Sequence, residues 1–475
     1  MIELRSDQRE VAKRLVEVLK THPVVGLQAP TGWGKTIVAL EVIKELGIKA
    51  LWLTPRLSIG VHVFHHCGAL GLRCLATAGR EKMCSFGYSL LDFARGVCHR
   101  CGLNQSRVSI GELDRLILGS LDFGKVKEAA EQLRICPYKL QTLIEGMGDY
   151  DVVIAHYNRA RKLVNALRPR LIIADEVHNV ALPIIHRVNT KELRFLLEKL
   201  GFEEDEALGL VRSPETLRAL LQEMVDSLIY VIDEDGEARP IVEELVEMLG
   251  SSIWYYDESE DAVVGLEVPE LPRTDAKTKM LLMSATLPPS LASDPNVITV
   301  RRGWAVPVRI DSKYVLTYEN VRKRREEIGR YVAERYLRPS TVVFTTTARE
   351  DLLLLNNKDG IIWEDELEGR TPCDFKNETV VLRAYGRYAE GINLDCFDNL
   401  VLLGLPALQP TAMHRLEARG INPRDLIITK LVQIIGRVTR SPTPPDKMPN
   451  IYLVDKRFRM YMDDLKNYEI EIINN

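Results

Sequence analysis

Apolar residues along this chain fall into two alternating patterns. Short, mainly apolar runs stand at 24–27, 48–54, 72–76, 151–155, 171–174 and 279–283, and again in TVVF, TVVL, NLVLL and IYLV after residue 340. Each is bounded by polar or turn-forming residues, as strands buried on both faces are. Between them, apolar positions recur at helical spacing, first over 5–20 and then over 36–46. Residues 5–20 predict an amphipathic helix with Asp7 as its N-cap. Strand alternating with helix predicts a parallel sheet covered on both faces. The alternation runs once before about residue 300 and restarts after it, so two α/β domains are expected.

Two stretches interrupt the first domain. Residues 80–148 hold no clear strand and contain Cys84, Cys98, Cys101 and Cys136. Residues 186–250 read as helices rich in acidic side chains, followed by a β-like stretch at 253–269. The expected organisation is therefore 1–79, 149–185 and 271–300 for the first α/β domain. Residues 80–148 form a cysteine insertion, 186–270 a helical insertion, and 301–475 the second α/β domain.

The chain has 475 residues, enough for about three domains. Its formal net charge is −4, so any nucleic acid must be held by local basic grooves. The first residues, MIELRSDQRE, are charged and do not read as a signal peptide. No apolar run approaches the roughly 18 residues of a membrane span. An intracellular, cytoplasmic protein is expected (nuclear in a eukaryote), with no membrane partner.

The chemistry centres on APTGWGKT, residues 29–36, between the run at 24–27 and the helical pattern that follows. A glycine-rich turn joining strand to helix is the setting of a phosphate loop. Gly32 and Gly34 allow the backbone N–H groups to turn toward phosphate oxygens, and the helix N-terminus adds partial positive charge. Ala29, Pro30, Thr31, Gly32, Trp33 and Gly34 would make the cradle. Lys35 would reach the β- and γ-phosphates, and the Thr36 hydroxyl would ligate Mg²⁺. The bulk of Trp33 has no evident reason in the sequence. Gln8 is a candidate contact for an adenine edge, although a solvated polar position is the commoner fate of such a residue.

LIIADEVH, residues 171–178, is an apolar strand ending in two carboxylates. Asp175 would hold Mg²⁺, and Glu176 would orient or deprotonate the attacking water. His178 would sense the γ-phosphate or link to the next motif, Ser284-Ala285-Thr286 at another strand end. In the second domain Gln433, Arg437 and Arg440 are spaced by four and three, on one face of a predicted amphipathic helix. If the domains face each other, these arginines can reach the γ-phosphate.

The cysteines of the first insertion follow the spacing Cys-x13-Cys-x2-Cys-x34-Cys-Pro. Clustered thiols in an intracellular protein favour a metal over disulfides. Four thiolates suit either tetrahedral Zn²⁺ or an iron–sulfur cluster, and spacing does not separate the two. His99, inside the close pair, reads as a solvated side chain. Cys67, Cys74, Cys373 and Cys396 read as isolated thiols.

Taken together, APTGWGKT, DEVH, SAT, GRYAEGINL, QIIGRVTR and VDKRF, in this order, resemble the superfamily 2 helicases of the XPD-like iron–sulfur branch. The two insertions lie where that family has them, and CPYK followed by DVVIAHYN is similar too. The resemblance implies two RecA-like parallel-sheet domains binding ATP between them, a four-cysteine insertion holding a [4Fe–4S] cluster, and a helical arch around single-stranded DNA. It implies an ATP-dependent 5′-to-3′ DNA helicase or translocase, with DNA repair as its setting. Lys35, Thr36, Asp175 and Glu176 would bind and hydrolyse Mg-ATP, with Gln433, Arg437 and Arg440 completing the site. Cys84, Cys98, Cys101 and Cys136 would ligate the cluster, and Glu390 and Gly391 would link nucleotide to DNA. Val177 stands where the family usually has Ala, which removes no catalytic group. Expected partners are single-stranded and tailed duplex DNA, and the acidic insertion is a candidate docking surface for a repair protein. A monomer is expected, because one chain carries both halves of the ATP site. The alternative is a partner-dependent DNA translocase, or an ATP-clamped DNA-binding subunit that does not unwind by itself.

Overall fold

In the computed structural model, residues 3–473 are described except 31, 90–91, 94–95, 182, 235–237, 259–260, 269–270, 273–276, 293, 347–359, 368–369, 387, 389–393, 419 and 440–447. Apolar strands are laid down first as β1 (Val24–Gln28), β2 (Ala50–Thr54), β3 (Cys74–Ala76), β4 (Val152–His156) and β5 (Leu171–Asp175). Three strands then leave this layer: β6 (Ile184–Asn189), β7 (Ile253–Asp257) and β8 (Ala262–Glu267). β9 (Lys279–Ser284) and β10 (Val297–Thr299) return to it. The result is a seven-stranded sheet of order β10-β1-β9-β5-β2-β4-β3, its described pairs all parallel. β2 and β5 are buried along their whole length, which explains their unbroken apolar sequence. Phosphate loop and acidic motif both stand at the C-terminal ends of strands, where parallel sheets present their sites.

The second layer of strands comprises β11 (Val306–Asp311), β12 (Thr341–Thr345), β13 (Ile361–Trp363), β14 (Thr379–Arg383), β15 (Asn399–Leu403), β16 (Asn450–Val454) and β17 (Ile470–Ile472). They pair in parallel as β13-β14-β12-β15-β16-β11-β17. Two parallel-sheet α/β layers are thus present, as the sequence pattern predicts. The run at 451–454 is not the last strand, however: β17 follows and pairs with β11 at the sheet edge. With three residues it is too short to leave a periodic signal.

Between Arg80 and Met147 the chain forms short helices, with an apolar core that includes Met83, Leu113, Val126 and Ile135. That core is continuous with Leu51, Leu53 and Leu75 of the first sheet. The second insertion is not purely helical. Its helices close around Leu193, Leu196, Leu221 and Leu245, but it begins with β6, which joins β7 and β8 in an antiparallel sheet of order β6-β8-β7. The expectation of helix from residue 186 onward is corrected here. His186 and Val188 are buried while Arg187 and Asn189 are exposed, a period of two that is too short to stand out. The other face of this sheet packs Tyr255 and Leu266 on Leu416 and Leu426 of the second domain.

Three local expectations also change. The first helix runs Ser6–Thr21 with Arg5 at the N-cap, so Asp7 lies inside the first turn. The helix carrying Gln433 and Arg437 runs Pro423–Val438 and is buried on most sides rather than amphipathic. Cys67 is bonded to Cys74, and Cys373 to Cys396, so these four are not isolated thiols. The helix Leu57–Ala69 turns back directly into β3, bringing the Cys67 and Cys74 Cα atoms to 6.3 Å.

Candidate nucleotide site and cysteine centre

Leaving β1, the chain turns through Gly32 (φ 83°) and Gly34 (φ 105°) into the helix Lys35–Leu46. Both glycines hold left-handed backbone that a side chain would strain. At Gly34 a Cβ would also collide with the Gln8 amide. Gln8 is buried and donates to the Trp33 carbonyl at 2.7 Å, while its own oxygen accepts from the Arg5 N–H at 3.0 Å. The Trp33 indole N–H donates to Asp7 at 2.8 Å. Trp33, unexplained in the sequence, thus fastens the loop to the first helix. Lys35 is buried in the first helical turn, its ammonium donating to the Ala29 carbonyl at 3.0 Å, with Thr36 half-buried beside it. Thr31 lies outside the described residues.

At the end of β5, Asp175 is 4% exposed. Burial, and then the Glu176 charge, push its carboxyl up to about 7, against the pull of Lys35 and a hydrogen bond from Trp52. Lys35 and Asp175 are therefore electrostatic neighbours, although they lie far apart in sequence. The crowded negative charge is what a divalent cation would relieve, so the donor set suits Mg²⁺. Glu176 takes a left-handed φ of 48°, an uncommon conformation for a side-chain-bearing residue and one that clusters at functional sites. His178 Nδ1 lies 2.7 Å from Ser284 Oγ and 3.3 Å from Glu176 Oε2, joining the acidic motif to Ser284-Ala285-Thr286.

Between the two domains lies a cleft of about 70 Å³. Ala29, Pro30, Glu176 and His178 line it from the first domain, Gln433 and Arg437 from the second. Lys35, Thr36 and Asp175 are not among its lining residues. Gln433 is 5% exposed, yet neither amide atom has a hydrogen-bond partner among the described residues. Gln28, also in the lining, is 7% exposed with an unpartnered side-chain oxygen. Arg440, Glu390 and Gly391 lie outside the described residues.

Sequence reading missed Gln28, whose only signal is its place at the end of β1. It also missed Trp52 on β2, fully buried, whose indole N–H donates to Asp175 Oδ2 at 3.2 Å. The Tyr157 hydroxyl donates to the Asp175 backbone carbonyl at 2.7 Å. Trp52 reads as ordinary core in a strand and gains a role only through the β2–β5 pairing. Trp52→Phe keeps most of the packing and removes one bond to a carboxylate, worth about 1.5 kcal/mol. The Mg²⁺ concentration needed for half-maximal ATP turnover is expected to rise several-fold, with turnover at saturating Mg²⁺ nearly unchanged. An unaltered Mg²⁺ titration would remove Trp52 from the site.

Cys84, Cys98, Cys101 and Cys136 are unpaired thiols, each half-buried, around one cavity of about 230 Å³. Cys84 ends the helix Arg80–Met83, Cys98 lies in Val97–Arg100, Cys101 follows it, and Cys136 caps Pro137–Met147. Burial, partly countered by Arg80, pushes the Cys98 thiol up, and Cys136, Cys84 and Cys101 add to the rise. A single Zn²⁺ with Zn–S bonds of about 2.3 Å would draw four sulfurs into a close tetrahedron. The cavity, rimmed by Phe86, Phe93 and Tyr138, has room for a polynuclear cluster as well as for one ion.

These features describe two parallel-sheet α/β domains with a candidate nucleotide site at their junction, and the comparisons place its likeness among XPD helicases. The family described as Type III restriction enzyme, res subunit, matches residues 1–68. The chain is 26% identical over 245 residues to the ATP-dependent DNA helicase XPD of Sulfolobus acidocaldarius. That match takes in 50% of this chain and 42% of that protein, less than half its length. A solved XPD helicase structure superposes with a TM-score of 0.71 at 18% identity, covering 100% of both chains. Xpd4 of S. tokodaii gives 0.55 at 19% identity, over 99% of this chain and 100% of its own. The likeness to XPD helicases stands on the fold as well as on the motifs.

Proposed function

We propose that this chain is an ATP-dependent DNA helicase or translocase that moves 5′ to 3′ along single-stranded DNA, with DNA repair as its setting. The observation that carries the reading is Gln433: a buried amide with no hydrogen-bond partner among the described residues, on a helix of the second domain, lining a cleft whose opposite wall holds Glu176. Buried polar groups in folded proteins are nearly all paired, so such an amide, with Gln28 beside it, supports a polar ligand in the cleft.

ATP and Mg²⁺ would be held by Lys35, Thr36 and Asp175, and the metal when bound supplies charge neutralisation on the phosphates. Glu176 accepts a proton from the attacking water, and the His178–Ser284 bond carries its position to the third motif. Gln433 orients the water or a γ-oxygen, and Arg437 offsets charge developing on the γ-phosphate. Because these groups come from both domains, nucleotide turnover is coupled to the closeness of the domains. That coupling is what a motor on DNA needs.

Cys84, Cys98, Cys101 and Cys136 would hold a [4Fe–4S] cluster, which when bound ties four short segments into one wedge against a duplex. Single-stranded and tailed duplex DNA are the substrates, the helical insertion is a docking surface for a repair protein, and one chain suffices for turnover. Cytoplasmic residence fits this work, and no described helix is long and apolar enough to cross a membrane. Single-stranded DNA is expected to raise ATP hydrolysis about tenfold or more over the rate without DNA. A steady-state rate indifferent to DNA would contradict the reading.

A further inference from the structure

His186 stands on β6 and is 8% exposed. Its Nδ1 lies 3.2 Å from Glu244 Oε1, on the helix Arg239–Leu249. Its Nε2 is buried with no hydrogen-bond partner among the described residues, 3.7 Å from the Glu267 carboxylate at the end of β8. Glu247 follows Glu244 by three residues and so shares its helix face. One ligand atom from each of His186, Glu244 and Glu247 lies within 4.8 Å of the others. The imidazole is nearly buried, and its Nδ1 faces the helix that carries both Glu244 and Glu247, which a solvated acidic patch does not offer.

The elements packed around this point bring further acid. Glu243, on the same helix, and Glu81, of the cysteine insertion, lie close enough to act on Glu247. The location also matters. Arg239, at the start of the same helix, pairs with Asp92 of the cysteine insertion at 3.1 Å, so the two insertions meet here.

We propose that His186, Glu244 and Glu247 form a divalent transition-metal site that braces the helix Arg239–Leu249 against β6, where the helical insertion meets the cysteine insertion. One imidazole nitrogen with carboxylate oxygens suits Zn²⁺ or Mn²⁺, whereas Ca²⁺ and Mg²⁺ prefer oxygen alone. On binding, the ion takes the nitrogen lone pair and the imidazole proton leaves to solvent. The site shares no residue with the phosphate loop or with the four cysteines.

The test uses full-length protein purified anaerobically, its cysteine centre loaded with iron and monitored by absorbance throughout. After mild chelation it is titrated with ZnCl₂ or MnCl₂ and metal uptake is followed by equilibrium dialysis. Wild-type protein is expected to take up one equivalent that His186→Gln and Glu247→Gln bind at least tenfold more weakly. The metal should raise the melting temperature of the wild type and not of the variants. Glu247→Gln leaves the His186–Glu244 pair intact and decides the matter if His186→Gln folds poorly. Equal uptake by wild type and Glu247→Gln, or no uptake by either, would overturn the proposal. Neither readout depends on DNA or on ATP turnover, so its failure is distinct from failure of the helicase reading.

Discussion

Replacing Lys35 by Ala is expected to lower ATP turnover by about a hundredfold or more, the scale on which a lost charge-stabilising donor acts in a closed site. The ammonium is buried in the first turn of the loop helix, bonded to the Ala29 carbonyl and placed to act on Asp175. Its removal takes away the charge that would meet the β- and γ-phosphates. It also leaves Asp175 and Glu176 with less to offset their repulsion, which weakens the nucleotide site further. Folding should survive, because the core beneath the loop is made by Leu27, Val38 and Leu40. Circular dichroism with steady-state ATP hydrolysis checks both halves of the expectation. A folded Lys35→Ala protein with normal turnover would place the nucleotide elsewhere.

The second large effect is expected at Cys98. The purified wild-type protein should carry iron rather than zinc, and Cys98→Ser should lose most of that iron. Strand separation should fall at least tenfold, while DNA-stimulated ATP hydrolysis stays within a few-fold of wild type. The reasoning is spatial: the four thiols line a cavity that shares no lining residue with the inter-domain cleft. Elemental analysis, ATPase assay and unwinding assay on the same preparation decide it. Stoichiometric zinc would favour a mononuclear site. Equal loss of hydrolysis and unwinding would make the centre a general folding element, which the core shared with Leu51 and Leu53 makes a real alternative.

Much of this architecture is legible in the sequence because each signal is local. A phosphate loop needs two glycines and a lysine within a few residues of a strand, and an acidic strand end needs no distant partner to be read. The four cysteines of the first insertion are legible as a set, since their clustering is itself the signal. What stays hidden depends on pairing. Trp52 becomes a partner of Asp175 only because β2 lies beside β5. Gln28 is an ordinary polar residue until β1 delivers it to a cleft walled by another domain. The Cys373–Cys396 bond joins residues 23 apart whose approach is decided by the second sheet. β6 is short and half-exposed, so its alternation is lost between the acidic turn and a run of helices. The weight of Trp33 shows the converse: an odd residue in a known motif was a true signal, and the hydrogen bond to Asp7 supplies its reason.

The most direct test is strand separation by anaerobically purified protein, with ATP, on duplexes bearing either a 5′ or a 3′ single-stranded tail. The expected result is unwinding from the 5′ tail alone, abolished in Lys35→Ala. Unwinding from the 3′ tail alone would contradict the assigned polarity. No unwinding from either tail, with DNA-stimulated hydrolysis intact, would contradict strand separation as this chain's own activity and leave a translocase in its place.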